Sequence, residues 1–298
     1  MISPPPLKKG DKIALAAPAR KVSQQELAFG ISVLKQKGFE VVFDEGLFLS
    51  YDQFAGDDMQ RTRYLQQLLD NPTIKAILFA RGGYGSLRIV DRLNFSQFVQ
   101  HPKWLAGYSD ITVFLNHVNR LYRIETLHAP MPFGFDKNTP ESLQSLFDAM
   151  MGKPESISWP TQSLSRKGIA KGTLVGGNLS VLYSLLGSRS FPQTSGSILF
   201  IEDLDEYLYH IDRMMVALKR AGKLKNLAGL VVGGMNDMND NTVPFGKTAE
   251  EIIWDVVKEF DFPVAFHCPV GHIADNRTLV MGRKVELEVR ELEVCLRQ

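Results

Sequence analysis

The sequence predicts an α/β fold: an N-terminal parallel sheet with helices on both faces, followed by a smaller β-rich C-terminal domain. Three observations predict it. Through the first half, apolar strand-like runs alternate with amphipathic helix-like runs, and such alternation builds parallel strands joined by helical crossovers. Between Gly134 and Ser165 the pattern is interrupted by Asp136-Lys137-Asn138-Thr139-Pro140, Gly152-Lys153-Pro154 and Trp159-Pro160-Thr161, residues that set turns rather than element interiors. Beyond that stretch strands mix with glycine turns, and 298 residues, 44% of them hydrophobic, suffice for two cores.

Each element has a local reason. Lys12 to Ala17, Phe39 to Phe43, Ile74 to Ala80 and Trp104 to Tyr108 are apolar runs of strand length, whereas Gln24 to Lys37 and Arg61 to Leu69 repeat apolar residues at helical spacing. The expected N-terminal domain, 1–135, is therefore a flavodoxin-like sheet, with ligands beyond the carboxyl ends of its strands. Residues 136–165 read as a linker region around one helix, Glu141 to Met151. The expected C-terminal domain, 166–298, has strands at Ile169 to Val175, Ser197 to Ile201, Gly229 to Gly233, Val264 to Cys268 and Lys284 to Val289. Its helices are expected at Asn178 to Leu186, Glu206 to Ala221 and Thr248 to Phe260.

The sharpest chemical signal is Gly107-Tyr108-Ser109-Asp110-Ile111-Thr112, between apolar Trp104-Leu105-Ala106 and the helix-like run from Val113 to Val118. A tight strand-to-helix turn lifts a hydroxyl clear of the sheet and aims the next N–H, that of Asp110, at any oxyanion formed beside it. The nucleophile pattern G-x-S-x-G is incomplete, because Ile111 stands at its second glycine. Helix capping by Ser109 or Asp110 is the competing reading. A serine nucleophile also needs a base and an orienting carboxylate. His272 follows the apolar run from Phe262 to Gly271 and precedes polar Ala274-Asp275-Asn276-Arg277, which places it at a loop tip beyond a strand. Glu202 closes the buried-strand-like Ser197 to Ile201. The competing readings are an ordinary loop histidine and a carboxylate that favours the start of the next helix.

Five blocks in order, Arg81-Gly82-Gly83-Tyr84-Gly85, Gly107-Tyr108-Ser109-Asp110, Gly176-Gly177-Asn178-Leu179, Ile201-Glu202-Asp203 and Gly271-His272 with Asn276, run from about Lys12 to Leu287. Together they resemble the LD-carboxypeptidases, serine peptidases of family S66. The resemblance implies that Ser109 is the nucleophile, Glu202 the orienting carboxylate and His272 the base. It also implies cleavage of an L,D peptide bond that releases terminal D-alanine from murein tetrapeptides during peptidoglycan recycling, with no metal or organic cofactor, by a homodimer. Two departures stand out: Ala19 follows Pro18 where many relatives have serine, and Val280-Met281 stands where the family often has proline. Beside the nucleophile, the N–H groups of Asp110 and of the loop near Gly83 are the expected oxyanion donors. Arg81, Gly83 and Tyr84 of the strand-end Arg81 to Ser86 are candidate substrate contacts, since N–H groups at a helix start beside a guanidinium suit a carboxylate. Alternatively, Arg81 pairs with a nearby Asp and only braces the loop.

Composition removes other classes. A formal net charge of +1 without a clustered basic face argues against nucleic acid. No run approaches the roughly 18 apolar residues of a membrane span. The short apolar run after Lys8-Lys9 contains Pro18, so it reads as a first strand and not a signal peptide. Cys268 and Cys295 form no disulfide framework, which makes a cytoplasmic protein the simplest expectation. Phe245-Gly246-Lys247-Thr248 mimics the end of a P-loop, but Asn241 replaces the first glycine; Gly83 to Arg88 lacks the third glycine of a dinucleotide fingerprint. His267, Cys268 and His272 do not complete a metal set, and a buried thiol accounts better for Cys268. Two alternatives stay open: a related amide hydrolase that inactivates a peptide-nucleotide antibiotic, and a non-catalytic two-domain peptide-binding module.

Overall fold

Parallel strands must bury both faces, and in the first half helices alternate with the strands to cover them. The computed structural model describes residues 1–154 and 156–298; Glu155, in the expected linker region, lies outside the described residues. The first half runs β1 (Lys12–Ala16), α1 (Gln24–Gln36), β2 (Glu40–Val42), α2 (Asp58–Asp70), β3 (Ile74–Phe79), α3 (Ser96–Gln100), β4 (Trp104–Gly107), α4 (Thr112–Tyr122) and β5 (Thr126–His128). These strands pair in parallel in the order β5-β4-β3-β1-β2. That order is flavodoxin-like, and its topological switch point lies between β1 and β3. The glycine loop after β3 therefore opens where such sheets hold ligands.

The second half runs α5 (Pro140–Met150), β6 (Ile157–Pro160), β7 (Gly168–Asn178), α6 (Leu179–Ser184), β8 (Ser197–Leu204), α7 (Leu208–Arg220), β9 (Gly229–Asn236), α8 (Ala249–Val257), β10 (Val264–Ala265), β11 (Leu279–Met281), β12 (Lys284–Val289) and β13 (Glu293–Arg297). Its seven-stranded sheet is mixed, in the order β10-β9-β8-β7-β12-β13-β6. β7 to β10 are parallel, and β12, β13 and β6 add antiparallel hairpin pairing. Between the pairs Ile201↔Val232 and Asp203↔Met235, β9 carries one residue more than β8, so Gly233 and Gly234 lie opposite Glu202. Such bulges re-aim side chains beside functional sites.

Sequence patterns missed the elements that pairing alone decides. β5 and β11 have three residues each, too few for a period, and they hold each other antiparallel, which returns the chain from the second half to the first sheet. β6, inside the stretch expected to link, alternates buried and exposed residues at the edge of the second sheet and ends on Pro160, a residue tolerated there. α2 begins at Asp58 because Asp57 and Gln60 form a capping box upstream of the expected start. One hydrophobic cluster spans both sheets, from Ile13 and Phe79 through Phe114 to Leu199 and Ile201. Among the described residues, no helix is long and apolar enough to cross a membrane.

Candidate active site

Ser109 opens a 3-10 turn, Ser109–Ile111, that leads from β4 into α4. Its φ is +63°, a left-handed conformation that non-glycine residues adopt at a cost and that concentrates at functional sites. The glycine loop lies against it: a Cβ on Gly82 would stand 3.2 Å from the Ser109 Oγ. Neither side chain caps α4, since its N-cap residue is Ile111 and makes no side-chain bond. Instead the buried Asp110 carboxylate accepts the Ser86 N–H at 2.9 Å, tying the serine turn to the glycine loop. Buried Arg61 clamps the same loop by donating to the carbonyls of Gly85, at 3.1 Å, and Pro18. The Asp110 N–H falls in the first turn, where amides have no partner within a helix.

Glu202 is wholly buried at the end of β8, and its Oε2 lies 2.6 Å from the His272 Nδ1. Burial pushes the Glu202 pKa up, but the charge and hydrogen bond of His272, with the His128 ring close by, outweigh it and hold the carboxyl at about 2. An ionised carboxylate only accepts, so His272 Nδ1 carries the proton and Nε2 is the ring's free nitrogen. Burial lowers the His272 pKa; the Glu202 carboxylate, with Asp203 beside it, reverses this and raises it above the ordinary imidazole value. Gly271 makes the pairing possible. At φ +113°, a Cβ there would stand 2.8 Å from Glu202 Oε2. Asn276 fixes the loop by accepting the Gly271 N–H at 2.8 Å.

The two halves meet around these groups. The Tyr108 ring, next to the serine, packs on the His272 ring with centroids 4.7 Å apart. The Asn178 N–H donates to Thr112 Oγ1 at 3.0 Å, and Gly177, at φ +138°, has no room for a Cβ against the same oxygen. Asn116 donates to the Gly176 carbonyl at 2.9 Å. The start of α4 is thus seated directly on the end of β7, which explains the Gly176-Gly177-Asn178 block.

The remaining candidates sit on the glycine loop. Gly83, at φ +112°, and Tyr84 are exposed. Arg81 faces Glu26 at 3.6 Å, not an Asp, because the first turn of α1 brings that side chain over the loop; its guanidinium also lies 4.1 Å from the Phe133 ring centroid. Cys268 is buried, and burial pushes its thiol well up. Sequence reasoning missed Arg61, although its place in the apolar stripe Arg61, Tyr64, Leu65, Leu68 marked it as a cation facing inward. It also missed the role of Asp203, which accepts from Asn178 Nδ2 and the Ser180 N–H, each at 2.8 Å, and holds the start of α6.

A flavodoxin-like sheet and a mixed sheet that meet at a serine turn and a buried glutamate–histidine pair define a two-domain α/β fold. The chain belongs to the LD-carboxypeptidase family: the N-terminal domain model matches residues 13–129 and the C-terminal domain model residues 171–287. It is 33% identical to a probable murein peptide carboxypeptidase of Bacillus subtilis over 97% of this chain and 92% of that protein. The crystal structure of muramoyltetrapeptide carboxypeptidase from Oxalobacter formigenes superposes with a TM-score of 0.86 at 28% identity, covering 96% of this chain and 99% of that one. The microcin C7 self-immunity protein MccF of Escherichia coli is 24% identical over 95% of this chain and 92% of its own.

Proposed function

We propose that the protein is a serine carboxypeptidase that cleaves the L,D bond before the terminal D-alanine of murein tetrapeptides. The observation that carries this reading is the 2.6 Å bond between buried Glu202 and His272, on the loop that packs against the serine turn. His272 Nε2 takes the Ser109 proton, and the hydroxyl oxygen attacks the carbonyl carbon. The Asp110 and Gly83 N–H groups receive the oxyanion, where one donor is commonly worth about 2.7–4 kcal/mol. Nε2–H then protonates the leaving D-alanine amine, and water, deprotonated by the same nitrogen, releases the acyl group from Ser109. Glu202 keeps Nδ1–H in place and stabilises the imidazolium. The names of the murein peptide carboxypeptidases among the relatives support the substrate class. The test is incubation with L-Ala-D-Glu-meso-diaminopimelate-D-Ala and mass spectrometry for lost D-alanine. Intact tetrapeptide, with turnover of a peptidyl nucleotide instead, points to the amide-hydrolase alternative.

The base must be neutral to work, so activity falls as pH drops through the His272 pKa. Because that pKa is raised, the acid limb of kcat/KM is expected above the ordinary imidazole value of about 6.5. A limb well below that value contradicts His272 as the base.

A carboxypeptidase must also recognise a free carboxylate. The N–H groups of the glycine loop and the Arg81 guanidinium offer the donors, with Glu26 competing for the latter. Amidating the terminal D-alanine is expected to slow cleavage strongly in the wild type, and Arg81→Ala to remove most of the preference for the acid. Equal cleavage of acid and amide by the wild type rules out carboxylate recognition at this loop.

A further inference from the structure

We propose that His128 is a positioning residue of the same site, holding the second oxygen of Glu202 from the end of β5. The inference rests on the serine peptidase reading for its kinetic consequence, though not for its geometry. Glu202 Oε2 is taken by His272, but Oε1 is buried and, among the described residues, has no hydrogen-bond partner. The His128 ring is also wholly buried, and among the described residues both its nitrogens lack a hydrogen-bond partner. Nε2 stands 3.8 Å from Oε1. Buried polar groups are nearly always paired, so three orphan atoms in one place, two of them facing, mark a bond that forms with a small closure.

The ring is held for that contact. Its backbone lies between Gly107 of β4 and Leu279 of β11. Phe200 meets the ring edge-on at 5.0 Å between centroids, and Tyr108 lies at 5.8 Å. With Nε2 protonated, His128 donates to Oε1, which leaves the carboxylate one orientation, with Oε2 toward His272. β5 thereby links the serine strand to the acid of the other sheet: His128 is next to Gly107 in register and against Glu202 in space. The competing reading is a core histidine packed among aromatic rings, a place that phenylalanine would fill equally well.

Two measurements separate them. In wild-type protein, ¹⁵N NMR of the His128 ring is expected to show a protonated, hydrogen-bonded Nε2; a bare Nε2 overturns the proposal without any variant. Kinetics on the tetrapeptide and the low-field proton signal of His272 Nδ1–H, assigned by its loss in Glu202→Gln, are then compared in His128→Phe and His128→Gln. His128→Phe keeps the ring and drops the donor. It is expected to lower kcat about 10- to 100-fold with KM little changed, and to shift or broaden the low-field signal. His128→Gln, which keeps a donor, should recover most of both. Wild-type kcat and an unmoved signal in His128→Phe overturn the proposal, as does equal loss in both variants with the signal in place. Ser109→Ala is the control: if it stays active, the peptidase mechanism fails, while the two NMR readouts still decide what holds Glu202.

Discussion

Ser109→Ala is expected to lower kcat by about 10⁴-fold or more while leaving the melting temperature and circular dichroism unchanged, as for the nucleophile of a unit whose members act together. The hydroxyl is half-buried on a turn whose shape is fixed by other groups, Asp110 on Ser86 and Arg61 on Gly85. Its loss therefore removes chemistry without loosening the loop. His272→Ala should be equally inactive, and the double variant little worse than either, because each step needs both. Near-wild-type turnover in Ser109→Ala would sink the serine mechanism whatever the other residues do.

Gly271→Ala is expected to damage both activity and stability, although alanine adds one methyl group. The backbone there has φ +113°, and the added Cβ would stand 2.8 Å from Glu202 Oε2 and 2.9 Å from its Cβ. Strain in such a conformation costs about 1–3 kcal/mol. The loop relieves it by moving away from β8, carrying His272 with it, and a shift of about 1 Å at a catalytic group can cost on the order of 100-fold. Steady-state kinetics and thermal melts check both effects. A variant with wild-type kcat/KM would mean that the Glu202–His272 contact tolerates displacement and does not set the rate.

Much of this was legible in the sequence, for reasons that differ by residue. The strands from Ile74 and Trp104 are apolar through most of their length because both faces are covered, so their ends, and hence the positions of Arg81 and Ser109, could be read directly. Glu202 was legible as a carboxylate closing a buried run. His128 was not, since three-residue β5 carries no period and its neighbours are chosen by β4 and β11. Asp110 was readable only as a backbone donor or a cap. Its carboxylate reaches Ser86, 24 residues away in sequence, through the parallel pairing of β3 and β4. The competing reading of Arg81 gave it an Asp as partner, and the acid that faces it is Glu26, because side-chain identity at a surface pairing depends on how α1 crosses the sheet.

The sequence by itself determined the strands long enough to show a period, among them those from Ile74, Ser197 and Gly229, and that the strands of the first half pair in parallel under helices on both faces, because these follow from side-chain period within a few residues. Only the tertiary structure decided that β7, β8 and the loop after β10 turn their ends toward β4. That brings Glu202 to His272 and sets His128 behind them. The physical reason is that these contacts join residues 70 or more positions apart, and no local pattern encodes them. They come from burying one continuous core between two sheets whose strand ends must then face each other.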